Sequence, residues 1–158
     1  MDRWDVEQLN VESLFTFKKA FDESFWSNIP AIKGAIAACH ALSQAGYELV
    51  CVTALPGQFQ PARFQNLVQL GFPIEFVVTV DHVESMESPK AAIINFFKPV
   101  AFVDDYLPYL TGIHTDIHRA LITRDPEMSP NEGPLMDGIS SSHANLEDFA
   151  KFWLSRTH

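Results

Sequence analysis

Four residues of this chain have types and positions that could do chemistry together. Asp104 and Asp105 stand side by side in "PVAFVDDYLPYL", directly after the apolar run Val100–Val103. Two carboxylates that close raise each other's pKa unless a cation or a donor sits between them. Thr53 ends a second apolar run, in "YELVCVTALP", and Lys90 stands in the first turn of a helical pattern, in "ESPKAAIINFF". A hydroxyl, an ammonium and an acid pair suit a phosphoryl group held beside a divalent cation such as Mg²⁺. Each residue also has a plainer reading. Thr53 could cap the turn that follows it. Lys90 could be a solvated helix residue. The acid pair could be a solvated strand end, with Asp105 capping the next helical turn.

These residues could act together only if the fold gathers them. Apolar residues at helical spacing, with Pro and Gly as stops, give helices over about 5–26, 31–46, 60–71, 87–97 and 145–156. Short apolar runs between them give strands in "YELVCVTAL", "PIEFVVTVD", "PVAFVD" and "HRALITR". Pro126, Pro130 and Pro134 with Gly133 and Gly138 mark a long loop, and Asn145 caps the last helix. Alternation of this kind predicts an α/β fold with a mainly parallel sheet and helices on both faces. Ligands then bind beyond the carboxyl ends of the strands. Those ends carry Thr53, Asp81 with His82, Asp104 with Asp105, and Thr123 with Arg124 and Asp125.

Composition limits the partners. The chain has 158 residues, enough for one domain, and a formal net charge of −9. That balance argues against nucleic acid and against an anionic membrane surface, both of which are met by Lys and Arg. No apolar run approaches the roughly 20 residues of a membrane-spanning helix. Cys39 and Cys51 lie in helical and strand patterns without metal-ligand spacing, so they read as reduced and buried. With no leader-like N-terminus, the expected location is cytoplasmic. His114 and His118 are four residues apart, but Gly112 breaks the local helix, so they read as exposed loop histidines rather than a zinc pair.

The motifs together resemble the haloacid dehalogenase-like superfamily. "ELVCVTALP", "SPK" and "VAFVDD" are similar to its second, third and fourth motifs. The stretch "FWSNIPAIKGAIAACHALSQAGYELVCVTALP" is similar to the 5'-nucleotidase-like branch, and the resemblance runs from about Trp26 to Arg124. It implies a single domain over residues 1–158, a Rossmann-like three-layer sandwich, with residues 1–30 a helical remnant of the cap region. It implies a magnesium-dependent phosphatase acting on a phosphorylated small molecule. Thr53 would hydrogen-bond the phosphoryl group, Lys90 would neutralise it, and Asp104 and Asp105 would hold Mg²⁺.

One part of the family pattern is missing. Its nucleophile is the first Asp of a DxDxT or DxDG motif closing the first, central strand, and the sequence contains no such motif. Asp2, Asp5 and Asp22 neither follow an apolar strand nor have that spacing. The resemblance therefore implies either a phosphohydrolase inactive as this chain, or a non-catalytic relative that binds a phosphorylated ligand or a protein partner. In the family the absent strand separates the Thr strand from the acid-pair strand. Its loss leads to the expectation that those two pair directly, and that any unpaired sheet edge invites a homodimer.

Overall fold

The computed structural model describes residues 10, 13, 19–81, 88–123 and 131–156. It is α/β, and every strand pair among these residues is parallel. Helices α1 (Glu23–Ser27) and α2 (Ala35–Gln44) precede strand β1 (Val50–Ala54). Then come α3 (Gln60–Leu70), β2 (Phe76–Val80), α4 (Ala91–Phe97) and β3 (Ala101–Asp104). The chain ends with β4 (His118–Ile122), β5 (Ser141–His143) and α5 (Leu146–Ser155).

The sequence signals act where they were expected. Gly71, at φ 83°, ends α3 in the left-handed conformation that glycine adopts without strain. Asn145 accepts a hydrogen bond from the Asp148 N–H and so opens α5. The first predicted helix departs from expectation. Its N-terminal part lies outside the described residues, but residues 20–22 are not helical and Asp22 caps α1 as a fresh start, accepting from Phe25 N–H. A carboxylate that satisfies an N-terminal backbone donor stops a pattern as well as starting one.

The strands form two sheets. One is β1–β2, in register Thr53 to Thr79; the other is β3–β4–β5, in register Asp104 to Leu121. The expected direct pairing of the Thr53 strand with the Asp104 strand is therefore not found. Side-chain packing joins the sheets instead: Val52 of β1 packs on the cluster built by Ile94, Phe102 and Leu121. The backbone edges of β1 and β3 make no hydrogen bond to each other among the described residues.

The larger sheet is covered on both sides by alternation along its strands. Phe102 and Leu121 point to one face, under Ala91 and Ile94 of α4 and the 3₁₀ turn Leu107–Leu110. Ala101, Val103, Ala120 and Ile122 point to the other, under Ala38 and Leu42 of α2 and Phe149 and Ala150 of α5. β5 was not expected at all. Its sequence, Ser-Ser-His, lies in the stretch read as loop, yet it pairs with β4. No helix among the described residues is long and apolar enough to cross a membrane.

Candidate functional site

β3 ends at Asp104, and Lys90 occupies the N-cap position directly before α4. Asp104 has the same strand parity as Phe102, so its carboxylate lies on the face that α4 covers. The two side chains meet there. Lys90 Nζ donates to Asp104 Oδ2 at 2.6 Å, with Lys90 only 7% and Asp104 8% exposed. The reading of Lys90 as a solvated helix residue does not hold. A buried ammonium needs a partner, and it has one.

The rest of the site holds this pair in place. Asp104 Oδ1 accepts from the Tyr106 N–H at 3.0 Å, so both carboxylate oxygens are engaged. Burial pushes the Asp104 carboxyl above its ordinary range, against the pull of the Lys90 ammonium and the Tyr106 N–H. Lys90 Nζ also lies 4.6 Å from the centre of the Tyr109 ring and 5.9 Å from that of Phe102, within reach of a cation–π attraction. Burial, and then the nearby charges of Asp104 and Asp105, push the Tyr109 hydroxyl upward. Ser88 Oγ accepts from the Lys90 backbone N–H at 3.1 Å and so fixes the start of α4.

Asp105 does not cap the following turn, as its plainer reading supposed. Asn131 does: its Oδ1 accepts from Leu107 N–H at 2.8 Å, and its Nδ2 donates to the Asp105 carbonyl at 2.9 Å. A buried amide reaching in from a distant loop thus ties down the backbone beside the acid pair. Nothing local in the sequence announces Asn131, which sits in the stretch rich in Pro and Gly. Tyr109 could have been suspected from "DDYLPYL", where an aromatic ring one helical turn beyond an acid pair can cover a cation.

Thr53 is not part of this cluster. It pairs with Thr79 in the smaller sheet and makes no hydrogen bond to Lys90 or Asp104. Its neighbour Cys51, on the same side of β1, comes nearer. The Cys51 thiol is pushed up by burial first, while the charges of Arg63 and Lys90 pull it down and that of Asp104 pushes it up again. Cys39 is pushed up to about 11, again by burial first. Both cysteines are free thiols; Cys39 is buried as expected, whereas Cys51 is only partly buried.

The other candidates are dispersed. Asp81 is exposed after β2, Thr123 Oγ1 donates to the His143 carbonyl, and His82, Arg124 and Asp125 lie outside the described residues. His114 is exposed as expected. His118 is not a loop residue: it opens β4, half-buried, and its Nε2 lies 2.8 Å from Ser141 Oγ. No group of three metal-ligating side chains occurs among the described residues. Two adjacent carboxylates still match what Mg²⁺ takes from protein, since waters and phosphate oxygens usually complete its shell. Comparison of the chain with protein-family models and with curated proteins finds no match in either.

Proposed function

We propose that the chain is a haloacid dehalogenase-like scaffold, Rossmann-like in layering, that binds a phosphorylated small molecule without turning it over. The observation that carries this reading is the buried ion pair of Lys90 with Asp104 at the carboxyl end of β3. An ammonium and two carboxylates at a strand end can hold a phosphate through the ammonium and a Mg²⁺ through the acids. Mg²⁺, when bound by Asp104 and Asp105, would screen the phosphate charge and orient its oxygens. Lys90 would then turn from Asp104 to the phosphoryl group, and Tyr109 would close over it. Thr53 would contribute only if β1 shifts toward β3.

The absence of turnover follows from the missing Asp nucleophile. Groups that bind and polarise a phosphate do not by themselves break its ester bond. Lys90 does not stand unpaired while no ligand is bound: its ammonium is held by Asp104, as a binding site that fills and empties requires.

Calorimetric titration with inorganic phosphate, with and without Mg²⁺, tests the reading beside an assay of p-nitrophenyl phosphate hydrolysis. The expected result is binding that needs Mg²⁺, is lost in Lys90→Met, and comes with no hydrolysis. Hydrolysis that needs Mg²⁺ and vanishes in Asp104→Asn would instead return the chain to the phosphohydrolases. Absence of both binding and hydrolysis would overturn the site.

A further inference from the structure

We infer that a second site, apart from the Lys90–Asp104 pair, binds a small aliphatic carboxylate on Arg119. A cavity of about 300 Å³ lies between the Leu107–Leu110 turn, the start of β4 and the 3₁₀ turn Pro134–Gly138. None of Thr53, Lys90, Asp104 and Asp105 lines it. Its wall is apolar, built by Leu107, Leu110, Leu135 and Ile139, and broken by Arg119 and Thr111.

Arg119 is the reason to expect an anion. It alternates with Ala120 on β4, so its side chain points to the face shared with Leu121, under the Leu107–Leu110 turn. Its backbone is fully used: Arg119 N–H donates to Ser140 Oγ and its carbonyl accepts from Ser140 N–H. Its guanidinium is not used. The buried Nε–H has no acceptor, and the side chain makes no ion pair with any described carboxylate.

The surroundings select the kind of anion. The two Nη groups of a guanidinium form a planar fork that matches the two oxygens of one carboxylate. Thr111 cannot add a donor, because its hydroxyl already donates to the Pro108 carbonyl at 2.8 Å. A phosphate dianion would therefore meet too few donors for its oxygens, in a chain whose net charge is −9. A monocarboxylate needs only the fork, and its hydrocarbon tail gains from the leucine wall. Arg119 Nη1 lies beside Gly138, 3.6 Å from where a Cβ there would stand, so the tip of the guanidinium borders the cavity. A cavity this small, at the lower end of ligand pockets, suits an acid of about five or six carbons.

The test is a titration of the ¹⁵N- and methyl-labelled protein with 4-methylpentanoate, read by NMR at the Arg119 Nε–H and at the methyls of Leu110, Leu135 and Ile139. The expected result is a saturable shift of all four. 4-Methylpentanamide, which lacks the charge, should bind at least tenfold more weakly. Arg119→Met should lose at least tenfold in affinity with an unchanged melting temperature. If that variant does not fold, Leu135→Asp at the exposed rim should abolish binding by placing a like charge at the mouth. No saturable shift would overturn the site. So would equal binding of the amide, or a shift of the Arg119 signal by inorganic phosphate and not by the acid.

Discussion

The two sheets of this protein are built from similar strands and end up very different. In β3–β4–β5, Ala120 and Leu121 are 0% exposed, because α4 and the Leu107–Leu110 turn cover one face and α2 and α5 the other. In β1–β2, Val77 is the one fully buried strand residue, and the strands start at exposed Val50 and Phe76. The strands of both sheets are apolar and parallel, so composition does not explain the contrast. Coverage does: a parallel sheet is stable when both faces are packed, and only the larger one is. The buried charge pair sits on the well-covered side, where the surrounding packing can fix its geometry. Thr53 sits on the other, which is why it stands apart from Lys90 and Asp104.

The largest way to break this contrast is to break the charge pair. Lys90→Met leaves the Asp104 carboxylate buried without its cation and should cost about 3–5 kcal/mol. A double variant, Lys90→Met with Asp104→Leu, removes both charges and should recover most of that loss. Urea unfolding of the three proteins checks it, and equal destabilisation by the single and double variants would mean that the pair is not buried in solution.

A matched pair of truncations compares the sheets directly. Leu121→Ala opens a cavity between closely packed elements and should cost about 2–5 kcal/mol. Val78→Ala in half-buried β2 should cost only about 1 kcal/mol. Both are read from urea midpoints at constant slope. Similar losses would show that the smaller sheet is as well covered as the larger. Of the same size is Asn145→Ala, which removes the cap of α5 and should cost about 1 kcal/mol, read in the same way.

Much of this arrangement is legible in the sequence, and the illegible parts share one cause. Helices α2 to α5 and the four apolar strands follow from spacing and from Pro, Gly and Asn signals that act within a few residues. The closeness of Lys90 and Asp104 follows too, once each is placed at the end of its element in a parallel sheet. What escapes is whatever depends on distant contact. Asn131 reaches Leu107 and Asp105 across 24 and 26 positions. β5 is polar in sequence and is a strand only because β4 offers it an edge. The separation of β1 from β3 is a property of two strands about fifty residues apart, and no local pattern encodes it. Nothing in the sequence singles out Arg119 from its strand, and that its buried Nε–H has no acceptor shows only in the folded arrangement.

The smallest effect probes the packed side of the larger sheet through pH. His118 and His143 both direct Nε2 to Ser141 Oγ at 2.8 Å, and both lie against Phe152. One hydroxyl can donate to one ring and accept from the other, so the neutral histidines take opposite roles. Burial, helped by Arg156 and His143, lowers His118 from its ordinary value of 6.5. Burial also lowers His143, against the pull of Asp148. The unfolded chain therefore binds protons more readily than the fold does just below pH 6.5, and stability rises with pH there. This contribution is present in full above about 6.5 and is lost as pH falls through the lowered values. Protonation also removes the acceptor nitrogen that the Ser141 hydroxyl needs, so acid should open β5 from α5 before it disturbs β1–β2. Melting temperatures between pH 7.5 and 5 check this. His118→Gln should flatten the slope, because the amide keeps a polar tip without taking up a proton. An unchanged slope would place the acid sensitivity elsewhere and leave the two sheets equal in their response to pH.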